Sequence, residues 1–281
     1  MRKLFLCSVA ASALVCSGSA WAADMAIHKA PSAPAAYDWT GLYFGGHVGG
    51  ARDTQTFDDP AGFVAINALV FTPPFTSGAA GSKVSSSSFL GGIQAGANYQ
   101  IGRLVVGTEL DVSWTKLNKS INGVWVAGPL AAGIAGAETF SSSDNLIATA
   151  TTRLGVARDT WLFYGKAGAA WTRTSTNVLA VATAPGIANA AMAGSVSDTR
   201  VGWTVGTGVE WAFAKNWTTK LEYDYLNFGT QVENIAATGT TGGFLGAPAP
   251  LAANLPVNVS QNISMVKWGI NYKLDPGFLF W

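Results

Sequence analysis

The most regular pattern in the chain lies in residues 200–229, where apolar and polar side chains alternate with a period of two. On one parity its first half carries a mainly apolar set: Val201, Trp203, Val205, Thr207, Val209, Trp211 and Phe213. After the interruption at 214–216, the apolar parity resumes at Trp217, opposite a row of charged residues. A period of two predicts strands with one apolar and one polar face. The stretch is therefore predicted to be a long β-hairpin with a tight turn.

Aromatic residues recur on the apolar parity at intervals of ten, as in Trp203 with Phe213 and Trp161 with Trp171. Ten strand residues of about 3.3 Å each, tilted near 45°, rise roughly 23 Å. That height is close to the roughly 25 Å apolar band of a transmembrane β-barrel, which is edged by two aromatic girdles. The core strands of a soluble sandwich have no reason to hold this distance. The predicted girdle residues are Phe89, Tyr99, Trp114, Trp161, Trp171, Trp203, Trp211, Phe213, Trp217, Tyr225, Trp268 and Tyr272.

The same alternation predicts eight strands along the chain. The first begins at Trp39, and the others span about 87–99, 104–116, 145–157, 161–173, 200–213, 217–229 and 258–274. Short links follow strands two, four and six, whereas long irregular connections follow the odd strands, at 52–86, 117–143, 174–197 and 234–256. Such alternation indicates an all-β, eight-stranded antiparallel up-and-down transmembrane barrel with short periplasmic turns and four long outer loops.

Composition supports a single domain of this kind. The chain has 281 residues, of which 49% are hydrophobic and 12% charged. Beyond the first two dozen residues no uninterrupted run of about 18 apolar residues occurs, which disfavours helical membrane spans. Of the 17 basic and 16 acidic residues, Arg2 and Lys3 lie in the first 22 residues, so the rest of the chain is formally −1 and gives no reason to expect nucleic acid as a partner.

The first 22 residues are predicted to be a cleaved secretory signal peptide. A basic start precedes the apolar run Leu4–Val15, and Ala20-Trp21-Ala22 supplies the cleavage site. A lipid-modified Cys16 is the weaker alternative, because Val15 before it is bulky. Both cysteines lie in this segment, so the mature chain is expected to have no disulfide. Residues 23–38 are predicted to be a Pro/Ala-rich periplasmic linker, and residues 39–281 the barrel domain.

Four motifs resemble those of small outer-membrane barrel proteins of alphaproteobacteria, the outer-membrane immunogenic or porin-family proteins. The motifs are YDWTGLY at 37–43, GWTVGTGVEW at 202–211, NWTTKLEYDYLNFG at 216–229 and VKWGINYKL at 266–274. The resemblance implies a barrel related in shape to the opacity-type surface proteins, in the outer membrane of a Gram-negative cell. It also implies insertion by the barrel-assembly machinery, which usually recognises an aromatic residue ending the last strand. Here Leu274 stands in that place and DPGFLFW follows, ending at Trp281.

Parity places nine charged side chains inside the barrel, where they are predicted to form a structural charge plug. They are Glu109, Asp111, Arg153, Lys166, Glu210, Lys220, Glu222, Asp224 and Lys267. Eight strands enclose a space that side chains can largely fill, and mixed signs favour pairing there. Glu210 is predicted to pair with Lys220 across the hairpin, and Arg153 to face Glu109 or Asp111. The alternative is a path for ions or protons.

The function predicted from these features is structural: support of the outer membrane and display of surface loops as an antigen or interaction surface. The alternative is a narrow porin-like channel for ions or small solutes. A haem-binding surface protein is a weaker alternative, because the predicted loops show no pair of axial ligands. A lipid-modifying enzyme is also weaker, since His47 faces the lumen by parity and no catalytic motif occurs. No cofactor, metal site or catalytic residue is predicted. The expected partners are outer-membrane lipid, the assembly machinery and a surface ligand or host molecule at the loops.

Overall fold

Eight antiparallel strands form a closed barrel in the computed structural model, which describes residues 37–58, 82–126, 135–184, 187–240 and 250–274. Each strand pairs with its neighbours in the chain, and the first pairs with the last. The strands are β1 Gly41–Asp58, β2 Ser82–Ile101, β3 Leu104–Val126, β4 Ala135–Arg158, β5 Trp161–Ala184, β6 Ile187–Ala214, β7 Trp217–Thr240 and β8 Pro250–Lys273. The predicted all-β up-and-down barrel is confirmed.

Two-residue turns close the three hairpins at one end of the barrel. They lie at 102–103, 159–160 and 215–216. Gly102 and Asp159 have positive φ of 61° and 55°. Such a backbone favours glycine, and among other residues it is tolerated best by Asp and Asn. The predicted short turns are therefore formed by residues suited to them.

The strands extend much farther toward the opposite end than the apolar pattern predicts. Most of 117–143 and nearly all of 174–197, predicted as loops, belong to paired strands. Only residues 185–186 separate β5 from β6. Many outward positions there are polar, such as Asn118 and Asn177, while inward positions such as Lys119 and Val178 stay buried. Patterns that end a strand at its last girdle aromatic miss this extension.

Two bulges reverse the inward parity in the outer half of the barrel, which is the half away from the short turns. At Asn145 the β4 register shifts by one, so Asp144 and Ile147 both point inward. At Phe228 and Gly229 the β7 register shifts likewise, and Gly229 has φ 64°. A bulge inserts one residue into one strand, which moves every following side chain to the other face.

The interior is a packed core with three apolar clusters. Trp39, Leu162 and Tyr164 belong to the cluster near the short turns; Leu117, Ile147 and Met265 belong to the second; Ile121, Phe140 and Ile235 belong to the outermost. No helix among the described residues is long and apolar enough to cross a membrane. Residues 1–36, which include the predicted signal peptide and nearly all of the linker, lie outside the described residues, as do 275–281.

Candidate functional site: the barrel lumen

All nine predicted plug residues point into the lumen, and none is more than 5% exposed. Their side chains come together because inward positions of neighbouring strands converge in the narrow lumen. Isolated charges there would be strongly unfavourable, so pairing is required. The contacts between them determine whether the lumen is filled or open.

The centre of the network is Lys220 with its two carboxylates. Its Nζ lies 2.9 Å from Glu109 Oε2 and 3.3 Å from Glu222 Oε2. Lys166 joins the same carboxylates, at 3.2 Å from Glu109 Oε1 and 2.6 Å from Glu222 Oε1. Two acids and two bases therefore form a closed set of ion pairs across the lumen, and the Tyr43 and Tyr164 hydroxyls donate to its carboxylates at 2.8 and 2.7 Å.

Lys267 extends the network toward β1 and β3. Its Nζ lies 3.0 Å from Asp111 Oδ2, 3.0 Å from Glu222 Oε1 and 2.7 Å from Asp224 Oδ2. His47 lies beside Asp111, with Nδ1 3.5 Å from Asp111 Oδ2 and Nε2 2.8 Å from Ser113 Oγ. His47 therefore makes lumen hydrogen bonds, in keeping with its parity.

Arg153 connects the network to the mouth near the short turns. Its Nη1 lies 3.1 Å from Glu210 Oε2 and 3.8 Å from Glu109 Oε2, and its Nε donates to Asn98 at 2.7 Å. The guanidinium also stands over the Tyr43 ring, 4.6 Å from its centroid. Such a planar cation can serve several acceptors at once.

The predicted Glu210–Lys220 ion pair is wrong, although the register is right. The two residues are Cα partners across the hairpin. Lys220 nevertheless binds Glu109 and Glu222, while Glu210 accepts from Arg153, Thr218 and Asn271. Inward side chains of a narrow barrel converge on its axis, so long ones reach strands that are not their neighbours. Cross-strand pairing rules describe open sheets better.

Residues before β1 cover the mouth near the short turns. Trp39 is 2% exposed, and its backbone N–H donates to Gln100 Oε1 at 2.8 Å. The Tyr37 ring packs edge-on against Trp39, with centroids 4.8 Å apart, and the Lys273 amine lies 4.6 Å from the Tyr37 centroid. Burial, with smaller effects of Glu210 and Asp38, raises the pKa of Tyr37 to about 12. The phenol is therefore neutral at any physiological pH.

A second polar cluster, which sequence analysis missed, lies in the outer half of the lumen. Lys119 pairs with Asp53 and with Asp144, the latter at 2.7 Å, and Gln261 Nε2 donates to both carboxylates at 2.8 and 3.0 Å. Asp53 and Lys119 lie in stretches predicted as loops, and Asp144 precedes a bulge. Continuing the odd parity of β1 and β3 past the girdle could have identified the first two.

Polar and apolar layers thus alternate along the lumen. The two ionic clusters are separated by the apolar cluster that contains Leu117, Ile147 and Met265, and the mouth near the turns holds Trp39. Within the described ranges no group of His, Cys, Asp and Glu is arranged to hold a metal ion. The lumen side chains therefore form a rigid, hydrogen-bonded interior. Their acidic groups are paired with cations of the lumen itself.

The predicted girdle residues all lie on the outer wall. Phe89, Trp114, Trp171, Trp203 and Tyr225 stand toward the outer half, while Tyr99, Trp161, Trp211, Phe213, Trp217 and Tyr272 stand near the short turns. Trp268 lies between the two girdles, since its register partners are Val48 and Leu221. Trp161 stacks on Trp211 with centroids 5.7 Å apart. The wall between the rings exposes aliphatic side chains such as Leu110 and Val205.

A closed barrel with an apolar outer band between two aromatic girdles, and with a polar interior, defines an integral β-barrel protein of the outer membrane. The family model described as outer membrane protein beta-barrel domain matches residues 8–245. The chain belongs to this family and is located in the cell outer membrane.

Its curated relatives include the 31 kDa outer-membrane immunogenic proteins of Brucella melitensis biotype 1 and Brucella suis biovar 1. Each is 31% identical over 242 residues, covering 82% of this chain and 88% of the relative. Similar solved structures include Neisserial surface protein A, with 14% identity, TM-score 0.36, and coverage of 84% of this chain and 98% of that chain. Another is the attachment invasion locus protein of Yersinia pestis, with 10% identity, TM-score 0.29, and coverage of 82% and 99%.

Proposed function

We propose that this protein is a closed structural barrel that reinforces the outer membrane and presents its outer wall and connections as a surface for interaction or antibody recognition. The observation that carries the proposal is the filled lumen. The nine plug charges are buried and engaged with one another, and apolar clusters lie on either side of them. A solute path would have to break several buried ion pairs, which is costly in a low-dielectric interior.

The displayed surface is larger than loops alone. A tilted strand needs about 9–11 residues to cross a membrane. The strands here have 18 to 28 residues, so paired β-structure continues beyond the girdle. The name of the Brucella relatives, immunogenic proteins, supports a surface role for the part of the barrel outside the lipid.

Conductance in planar lipid bilayers tests the proposal against the narrow-channel alternative. The refolded protein is expected to give no steady channels. Trp39→Ala removes the side chain at the mouth, and its conductance tests whether Trp39 alone blocks the lumen. If wild-type protein conducts steadily and Lys220→Met abolishes the current, the protein is a channel and the proposal is wrong.

Catalysis is proposed to be absent, and this has its own test. A lipid-modifying enzyme would change the acylation of outer-membrane glycolipid in cells that express the protein. Mass spectrometry of lipid extracts is expected to show no change relative to cells with an empty vector. A change that disappears in His47→Ala would overturn the structural role.

A further inference from the structure

Three cations form a belt on the outer wall just beyond the aromatic girdle. Arg52, Lys116 and Arg173, called here the cation belt, are all exposed, and each is flanked along its strand by two buried residues. They therefore point outward, away from the lumen. None of them takes part in an ion pair within the described part of the chain.

The girdle fixes the level of the belt. Lys116 and Arg173 are the next outward residues after Trp114 and Trp171, on the side away from the short turns. Arg52 pairs with Ser87, which is the next outward residue beyond Phe89. Girdle aromatics mark the boundary between hydrocarbon and headgroups. The cation belt consequently lies at headgroup level in the outer leaflet.

The belt spans half of the barrel's circumference, since β1 and β5 are four strands apart in the ring of eight. Its members stand on β1, β3 and β5, so neighbours are about 10 Å apart around the wall. On β7 the corresponding position after Tyr225 is the neutral Asn227. Among side chains that the structure describes, Asp198 is the one exposed acid beyond the girdle, and it accepts a hydrogen bond from the Thr199 amide. This face is therefore predominantly basic.

The wall beyond the belt changes to hydroxyl and amide groups. The next outward residues after the three cations are Thr54, Asn118 and Ser175. Several such groups bond to one another across strands, as Thr54 with Ser85 at 3.1 Å and Ser175 with Ser197 at 2.9 Å. From the membrane outward, the side chains of this face are thus first apolar, then aromatic, then cationic, and finally neutral and hydrogen-bonding.

We infer that this face of β1–β5 binds a phosphorylated glycolipid of the outer leaflet. The inference rests on the proposed structural role and names its lipid partner. Acyl chains of such a lipid meet the apolar band, its phosphates meet the cation belt, and its sugars meet the Thr/Asn/Ser wall. A phospholipid offers phosphate but no sugars to occupy the outer groups. Multiple phosphate contacts let the barrel fasten neighbouring glycolipids together.

Native mass spectrometry of the full-length protein in detergent tests the inference. The probes are a diphosphorylated acyl-disaccharide, the same lipid without phosphates, and phosphatidylglycerol. The double variant Lys116→Gln/Arg173→Gln is expected to lose affinity for the diphosphorylated lipid roughly twenty-five-fold, and Arg52→Gln roughly fivefold, from about one factor of five per cation. The matched control is Arg103→Gln/Arg158→Gln, which removes two exposed cations at the short turns and should bind as wild type.

Each outcome decides the matter. Unchanged binding in the double variant, or equal binding of the lipid lacking phosphates, overturns the inference. Equal binding of phosphatidylglycerol shows that any anionic lipid suffices and overturns the glycolipid assignment. Slower or faster migration of unboiled protein in gels verifies folding of every variant, and Arg52→Gln serves if the double variant does not fold. Conductance is measured separately, so a channel would refute the structural role without altering the binding result.

Discussion

Arg200 of β6 donates from Nη2 to Glu233 Oε1 of β7 at 2.5 Å, across a part of the wall where the ladder between these strands is interrupted. Pairing stops at Gly194 and resumes at Trp203. Arg200 also donates to the Val259 carbonyl at 3.1 Å. The buried ion pair thus connects β6 to β7 from the lumen side, at the gap in their pairing, called here the seam. Its loss should loosen this part of the barrel first.

Glu233→Gln is expected to destabilise the barrel by about 3–5 kcal/mol, because it leaves the Arg200 guanidinium buried without its anion. Hydrogen–deuterium exchange should accelerate selectively in residues 195–202. Asp159→Asn is the control, since Asp159 is exposed in a short turn far from this segment and Asn tolerates its positive φ. Equal exchange of this segment in both variants and wild type would show that the ion pair does not hold the seam.

Lys220→Met should lower the free energy of unfolding by about 3–5 kcal/mol, because Glu109 and Glu222 both lose a buried counter-charge. Urea unfolding in lipid vesicles measures the loss. Adding Glu109→Gln should recover part of it by restoring the charge balance. The control Lys83→Met, at an exposed position, should change stability by no more than about 0.5 kcal/mol. Equal effects of the two lysine variants would contradict a structural plug.

Adjacent glycines of β2 provide a matched test of lumen packing. A Cβ at Gly92 would lie 2.2 Å from the Val112 carbonyl oxygen and 2.5 Å from His47 Nε2, whereas at Gly91 the nearest atom is 3.8 Å away. Gly92→Ala should therefore destabilise the barrel by about 1–3 kcal/mol through overpacking. Gly91→Ala, on the lipid side, should be tolerated. Urea midpoints of the two variants decide, and similar midpoints would argue against a tightly filled lumen.

The Tyr37 phenol should ionise near pH 12 rather than near 10. Because its pKa in the folded state exceeds the unfolded value, its contribution to stability is complete below pH 10 and is lost as pH rises from 10 to 12. The ring is half-buried, so this contribution is small. Ultraviolet titration of wild type minus Tyr37→Phe should show one phenolate forming near pH 12. A difference curve centred at 10 would mean that the segment before β1 does not cover the mouth.

Local alternation was sufficient to predict which residues face inward across the membrane. Glu109, Lys166, Lys220 and Lys267 all follow the period of two set by their strands, and their strands have no bulge near them. The side-chain direction in a strand depends only on parity. The girdle positions of Trp171 and Trp203 follow from the same rule.

The partner of each charge was not predictable in this way. Glu210 faces Lys220 in register, yet Arg153 of β4 binds Glu210 because lumen side chains meet across the axis. The outer half also escaped prediction, since bulges at Asn145 and Gly229 exchange the faces. Neither effect can be recognised from the alternation of apolar and polar residues along one strand.

The sequence by itself therefore determined the strands, their membrane band and the charge of the interior, because these depend on spacing along one strand. Only the tertiary structure decided how far the wall extends beyond the lipid, which charges pair, and that Arg52 lies beyond the girdle as the cations after Trp114 and Trp171 do. Those properties depend on the stagger between strands, and stagger is set when the barrel closes.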